Sequence, residues 1–262
     1  MRRWMCSLSG ISTLVWFGTV SVVPMVAEEP VVPVYHEPHH RQVFQYGSTR
    51  ILDVQVPPGD TSWYHTHDSP ILYVTLSAGQ IRTQNLGQDW GGGGRGRGQA
   101  PNSNDSATPS PPQRPDTNAT VSSTGRLSSN TTYAEHPVTH RVQNVGDRLF
   151  RPIGVINESA GDDTTTAQAA GFDGKPELTN RWFRAYRYAL AAGESTTSHR
   201  HKTPVVLIQT TEGHAVAAGA MKFELNEPGR WAFFDASNPH QIQNTGDARV
   251  ELIEVEVRQP AR

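Results

Sequence analysis

The feature that most constrains this chain is an internal repeat. Gly59-Asp60-Thr61-Ser62-Trp63-Tyr64-His65-Thr66-His67 shares its layout with Gly193-Glu194-Ser195-Thr196-Thr197-Ser198-His199-Arg200-His201: a glycine, an acid, then His-x-His at equal distance. The offset of 134 positions persists through Pro70 and Pro204 and through the apolar runs Ile71-Leu72-Tyr73-Val74 and Val205-Val206-Leu207-Ile208. It still holds at Gly79 and Gly213. Further on, His140-Arg141-Val142-Gln143-Asn144-Val145-Gly146-Asp147 matches His240-Gln241-Ile242-Gln243-Asn244-Thr245-Gly246-Asp247 at an offset of 100. Two copies of one unit are expected, the first longer by 34 residues between its motifs.

Composition locates the extra length. Residues 87–129 are rich in Gly, Ser, Pro and Asn, with Gly91-Gly92-Gly93-Gly94-Arg95-Gly96-Arg97-Gly98 and Pro109-Ser110-Pro111-Pro112. Such a stretch buries too little apolar surface to offset its ordering entropy, so a disordered insertion is expected. Residues 157–180 read as a linker, leaving units over 41–156 and 181–258.

Within both units the patterning is β. Val54-Gln55-Val56 alternates, and Glu251 to Val257 largely alternates, as a strand with one buried face should. Turn signals of the Pro-Gly-Asp and Thr-Gly-Asp kind recur between short strands, and no long helical periodicity intervenes. The expected class is all-β, with a jelly-roll barrel in each half. Residues i and i+2 of a strand share a face, so His65 with His67, and His199 with His201, can point into their barrels. A third histidine from a later strand, His140 or His240, would close each triad.

The bulk properties narrow the function classes. A net charge of -2 gives no basic footprint for nucleic acid. Arg2-Arg3, an apolar stretch from Leu8 to Val23, and Ala27 before Glu28-Glu29 have the layout of a secretory signal peptide over residues 1–27. The protein is expected to be exported, periplasmic or secreted, and to meet a membrane only through that segment. The single cysteine, Cys6, falls inside the signal, so a metal would rest on imidazole and oxygen ligands. Three neutral nitrogens suit a first-row divalent ion: Fe, Mn, Zn, Ni or Cu.

The pairing of Gly-x5-His-x-His with a later His-x3-Asn, present twice, resembles the two motifs of the cupin superfamily, and the doubling resembles a bicupin. The resemblance covers most of the mature chain. It implies two tandem cupin-type double-stranded β-helix (jelly-roll) barrels. It also implies metal ligands at His65, His67 and His140, and at His199, His201 and His240. The family's motif glutamate would fall on Leu72 and Val206, which cannot coordinate. Each centre is thus expected to have three histidines and no carboxylate, similar to cupin dioxygenases of the thiol and diketone types. Without that carboxylate the full +2 of a metal is uncompensated by its ligands, which favours a small anionic chelating substrate. A metal-dependent dioxygenase is therefore expected. The alternatives are a non-catalytic small-molecule or sugar-binding module and a metal-dependent isomerase or lyase. A homodimer is compatible with either.

The remaining candidates have blander readings. Glu135 and Asp235, where the family has proline, could orient an imidazole but read better as solvated loop acids. His36, His39 and His40 read as a mobile terminus, Arg200 and Lys202 as surface charge, and Trp63 and Tyr64 as core. Asn144 and Asn244 are expected to hold turns. Sequons occur at Asn104, Asn118, Asn130 and Asn157.

Overall fold

The computed structural model describes residues 29–91, 119–162 and 174–260. The expected signal segment and most of the expected insertion lie outside these. Among the described residues there is no α-helix, and no helix long and apolar enough to cross a membrane.

The first unit contains β1 (Val31–Pro33), β2 (His40–Tyr46), β3 (Thr49–Val54), β4 (Tyr64–His67), β5 (Ile71–Thr75), β6 (Gly79–Asn85), β7 (Thr120–Ser122), β8 (Leu127–Asn130), β9 (Val138–Asn144) and β10 (Pro152–Asn157). They form two sheets, ordered β1-β4-β9-β6-β7 and β2-β3-β10-β5-β8. The second unit contains β11 (Leu178–Thr179), β12 (Phe183–Leu190), β13 (Val205–Gln209), β14 (Ala215–Ala218), β15 (Lys222–Leu225), β16 (Trp231–Phe234), β17 (Gln241–Asn244) and β18 (Val250–Val257). Its sheets are ordered β11-β12-β18-β13-β16 and β15-β14-β17. Each unit is a jelly-roll barrel. The ladders are antiparallel except β1 on β4.

The barrels share a core. Ile51, Leu72, Val74, Ile153 and Val155 of the first pack against Phe183, Val206, Ile208, Ile253 and Val255 of the second. Sheet alternation explains the apolar runs. Leu72 and Val206 face the other barrel, while Ile71 and Tyr73, and Val205 and Leu207, belong to their own barrel's interior. Strands buried on both faces read as continuous apolar sequence rather than as alternation.

Two expectations are corrected here. Residues 120–122 and 127–130 are strands, paired on β6 and β5, and so are part of the barrel rather than of a loop. Leu178–Thr179, inside the expected linker, pairs with β12. At the Asn157 sequon the side chain is buried, and its amide donates to the carbonyls of Trp182 (3.0 Å) and Arg258 (2.7 Å), joining the two barrels.

The turn asparagines repeat with near-identical geometry. Asn144 accepts from Gly146 N at 3.0 Å and donates to Val56 O and Arg148 O. Asn244 accepts from Gly246 N at 2.9 Å and donates to Leu190 O and Ala248 O. Gly59 and Gly193 turn the chain at φ +84° and +75°, where a side chain would be strained.

Candidate metal centres

Register builds both triads. His65 lies directly opposite His140 across β4 and β9, and His199 lies opposite His240. The second member of each His-x-His returns to the same face two residues on. The ligand-capable atoms of His65, His67 and His140 lie within 4.8 Å of one another, and so do those of His199, His201 and His240.

The second centre gains a residue that motif spacing did not reveal. Glu254 of β18 is fully buried and sits among the three imidazoles. Its carboxylate lies 2.6 Å from His240 Nε2, 3.3 Å from His199 Nε2 and 3.2 Å from His201 Nε2, and it accepts a hydrogen bond from the Tyr188 hydroxyl. This corrects the expectation of a carboxylate-free second centre. On β18 the valine-bearing face meets the other barrel, and the Leu252, Glu254, Glu256 face looks inward. The alternation read as half-solvated is buried on both sides.

The outer nitrogens are anchored as well. His199 Nδ1 faces Thr197 O at 2.9 Å, His240 Nδ1 faces Asn238 O at 3.3 Å, and His201 Nδ1 contacts Glu256, which is paired with Arg184 at 3.3 Å. Acceptors at Nδ1 fix the tautomer that leaves Nε2 free to coordinate. Burial works against charging His201, but Glu254 and Glu256 together push its pKa up to about 9. The hydrogen bonds from the imidazoles hold Glu254 well below the usual carboxylate range despite its burial. A buried carboxylate facing three imidazole nitrogens calls for a cation, and this donor set fits a divalent metal.

The first centre has a different character. Burial, reinforced by the neighbouring histidines, lowers His65 and His67 far below the ordinary imidazole range and brings His140 down to about 4. These imidazoles are neutral near pH 7. His65 Nδ1 faces Trp63 O at 2.9 Å, and its buried Nε2 has no hydrogen-bond partner among the described residues. A buried, inward-facing nitrogen without such a partner is accounted for by service as a metal ligand. His67 stacks on Tyr133.

His40 is not part of a mobile terminus. It begins β2, is buried, and lies with its ring 4.2 Å from that of His65. Its Nδ1 lies 2.6 Å from Glu37, a buried carboxylate that also accepts from His39 N and Trp63 N. Burial raises the Glu37 pKa, but the bonds from His40 and its neighbours outweigh that and lower it. Glu37 and Glu256 therefore do what was considered for Glu135 and Asp235. Glu135 is exposed, and Asp235 takes the Tyr46 hydroxyl. Arg200 and Lys202 are exposed as expected. Tyr64 is buried, whereas Trp63 is 46% exposed and not core.

A cavity of about 240 Å³ adjoins the first centre, with His40 and His140 in its wall. The second centre is closed: His199, His201, His240 and Glu254 are each at most 2% exposed.

No family model matches the chain, and no curated protein does. Solved structures do match. AerE from Microcystis aeruginosa aligns over 82% of this chain and 90% of its own, at 10% identity and a TM-score of 0.54. A mutant of the salicylate 1,2-dioxygenase from Pseudoaminobacter salicylatoxidans aligns over 80% and 71%, at 10% identity and 0.51. An oxalate decarboxylase aligns over 81% and 69%, at 9% identity and 0.50. The chain has a cupin fold. At these identities the shared property is the double-barrel architecture, and function has to be argued from the sites.

Proposed function

We propose that this is an exported, metal-dependent oxidoreductase of dioxygenase type, acting on a small anionic metabolite in the first barrel. The observation that carries the reading is the cavity beside His140 and His40, next to a triad of neutral imidazoles. His65, His67 and His140 would hold the ion and leave coordination positions open, as catalytic sites with three protein ligands do. The metal would supply Lewis-acid polarisation or, as iron, oxygen activation.

The chain's own residues do the rest. Trp63 O fixes the His65 tautomer, and Tyr133 backs His67. Glu37 orients His40, whose ring stands in the cavity wall. Val54, Ile81, Val142 and Phe150 line the cavity with apolar surface, which limits competing water. Two fold neighbours are named for small carboxylates, salicylate and oxalate, which agrees with an anionic substrate.

The closed second centre favours a separate, structural role for its ion. Four buried protein ligands leave little room for substrate, as in structural metal sites. Export is supported by the signal layout of residues 1–27.

The test is oxygen uptake by iron-loaded protein across a panel of small carboxylates, enolates and thiolates, with His140→Ala as control. Turnover lost in His140→Ala supports the reading. Retained buried metal with no turnover on the panel would favour the binding-module alternative.

A further inference from the structure

We propose that Arg126 is the anion-recognition residue of the first barrel's cavity and restricts it to small carboxylates. The proposal rests on reading that cavity as the substrate site. Among the described residues Arg126 is the one permanently charged side chain in the cavity wall, and no Asp or Glu lines it. Several other arginines are committed, Arg50 to Glu158, Arg151 to Asp53 and Arg187 to Glu177, whereas Arg126 combines an uncommitted guanidinium with a place in a cavity wall. The Arg126 guanidinium has no hydrogen bond or ion pair among the described residues.

Its backbone is nonetheless fixed. Gly125 N donates to Thr75 O at 2.7 Å, and Thr75 N donates to Arg126 O at 3.0 Å, tying the turn to β5. Arg187 of the second barrel donates through Nη2 to Gly125 O at 2.6 Å. Gly125 has φ +76°, a conformation that disfavours a side chain. A tightly held turn thus carries an unpaired guanidinium at the rim of a cavity. That fork matches a carboxylate through two parallel charge-assisted hydrogen bonds. The walls of the same cavity include Val54, Ile81, Phe150 and Tyr73. The complementary ligand is a carboxylate on a compact, largely apolar body.

The experiment is calorimetry on the full chain with benzoate and its uncharged counterpart benzamide, comparing the parent with Arg126→Gln and Arg126→Lys. A hydrogen bond to a charged group contributes enough that about a tenfold or larger preference for benzoate is expected in the parent. Arg126→Gln should bind the two alike through loss of benzoate affinity, and Arg126→Lys should recover part of the preference. Benzoate preference unchanged in Arg126→Gln, or no preference or no binding in the parent, would overturn the proposal. The two readings fail separately. Arg126-dependent benzoate binding without oxygen uptake would sink only the oxidoreductase reading. Oxygen uptake with unchanged binding in Arg126→Gln would sink only this one.

Discussion

The carboxylate of Glu254 lies 2.6 Å from Nε2 of His240, inside a barrel whose motif spacing offers no carboxylate ligand. It reaches the centre from the last strand, where Glu254 stands opposite Leu207 on one side and Tyr186 on the other. Glu254→Ala should remove the ion from the second centre only. Elemental analysis should show metal per chain falling by one equivalent, and the melting temperature should fall with it. Removing one partner of a buried charged set costs about 3–5 kcal/mol. A variant with full metal and parental stability would rule out Glu254 as a ligand.

The register across β13 makes a second prediction. Val206 occupies the expected glutamate position, yet its side chain lies in the core between the barrels. Val206→Glu should therefore create no ligand. It should destabilise the protein by several kcal/mol, because an unpaired carboxylate would replace apolar contact. Urea unfolding with parallel metal analysis checks this. Raised metal affinity at undiminished stability would mean that the strand is placed one residue out.

Glu37 acts on the first centre through His40. Glu37→Gln keeps the shape but removes the charge that holds the imidazole, and losses of roughly 10- to 100-fold in metal affinity or activity are expected for such supporting groups. Competition with a chromogenic chelator measures the affinity, and oxygen uptake measures the activity. A variant matching the parent in both would confine His40 and Glu37 to packing.

The metal-stripped chain should have opposite pH limits set by its two barrels. His140 is depressed to about 4 and His65 and His67 are also lowered, so the unfolded chain binds more protons between pH 6.5 and 4. Stability should fall as pH drops through that window. His201 is raised to about 9, so its contribution is fully present below 6.5 and is lost as pH rises through about 9. Thermal melts across pH 4 to 10 should show both arms. His140→Gln should soften the acid arm, and His201→Gln should remove the alkaline one.

What could be read from the sequence was whatever local spacing and repetition encode. His-x-His on a strand fixes two imidazoles on one face, and the repeat identifies His140 and His240 as equivalent third members. The apolar runs at 71–74 and 205–208 served only to extend the repeat, and that both of their faces are buried came with the packing of one barrel on the other. Glu254 was hidden because Glu-x-Glu alternation looks the same whether that face meets water or a barrel interior. Only the covering of the valine face by the other barrel tells the two apart. His40 was hidden for a related reason. It sits in a Pro- and His-rich tail, and its burial follows from pairing with Val54, a contact that no local pattern announces.

The two triads, one per barrel, should act as separate metal centres. Elemental analysis of natively purified protein, alongside His67→Ala, His201→Ala and the double variant, tests this without reference to any substrate. Two equivalents of metal are expected in the parent, one in each single variant and none in the double. Metal content unchanged in both single variants would contradict the assignment of both centres.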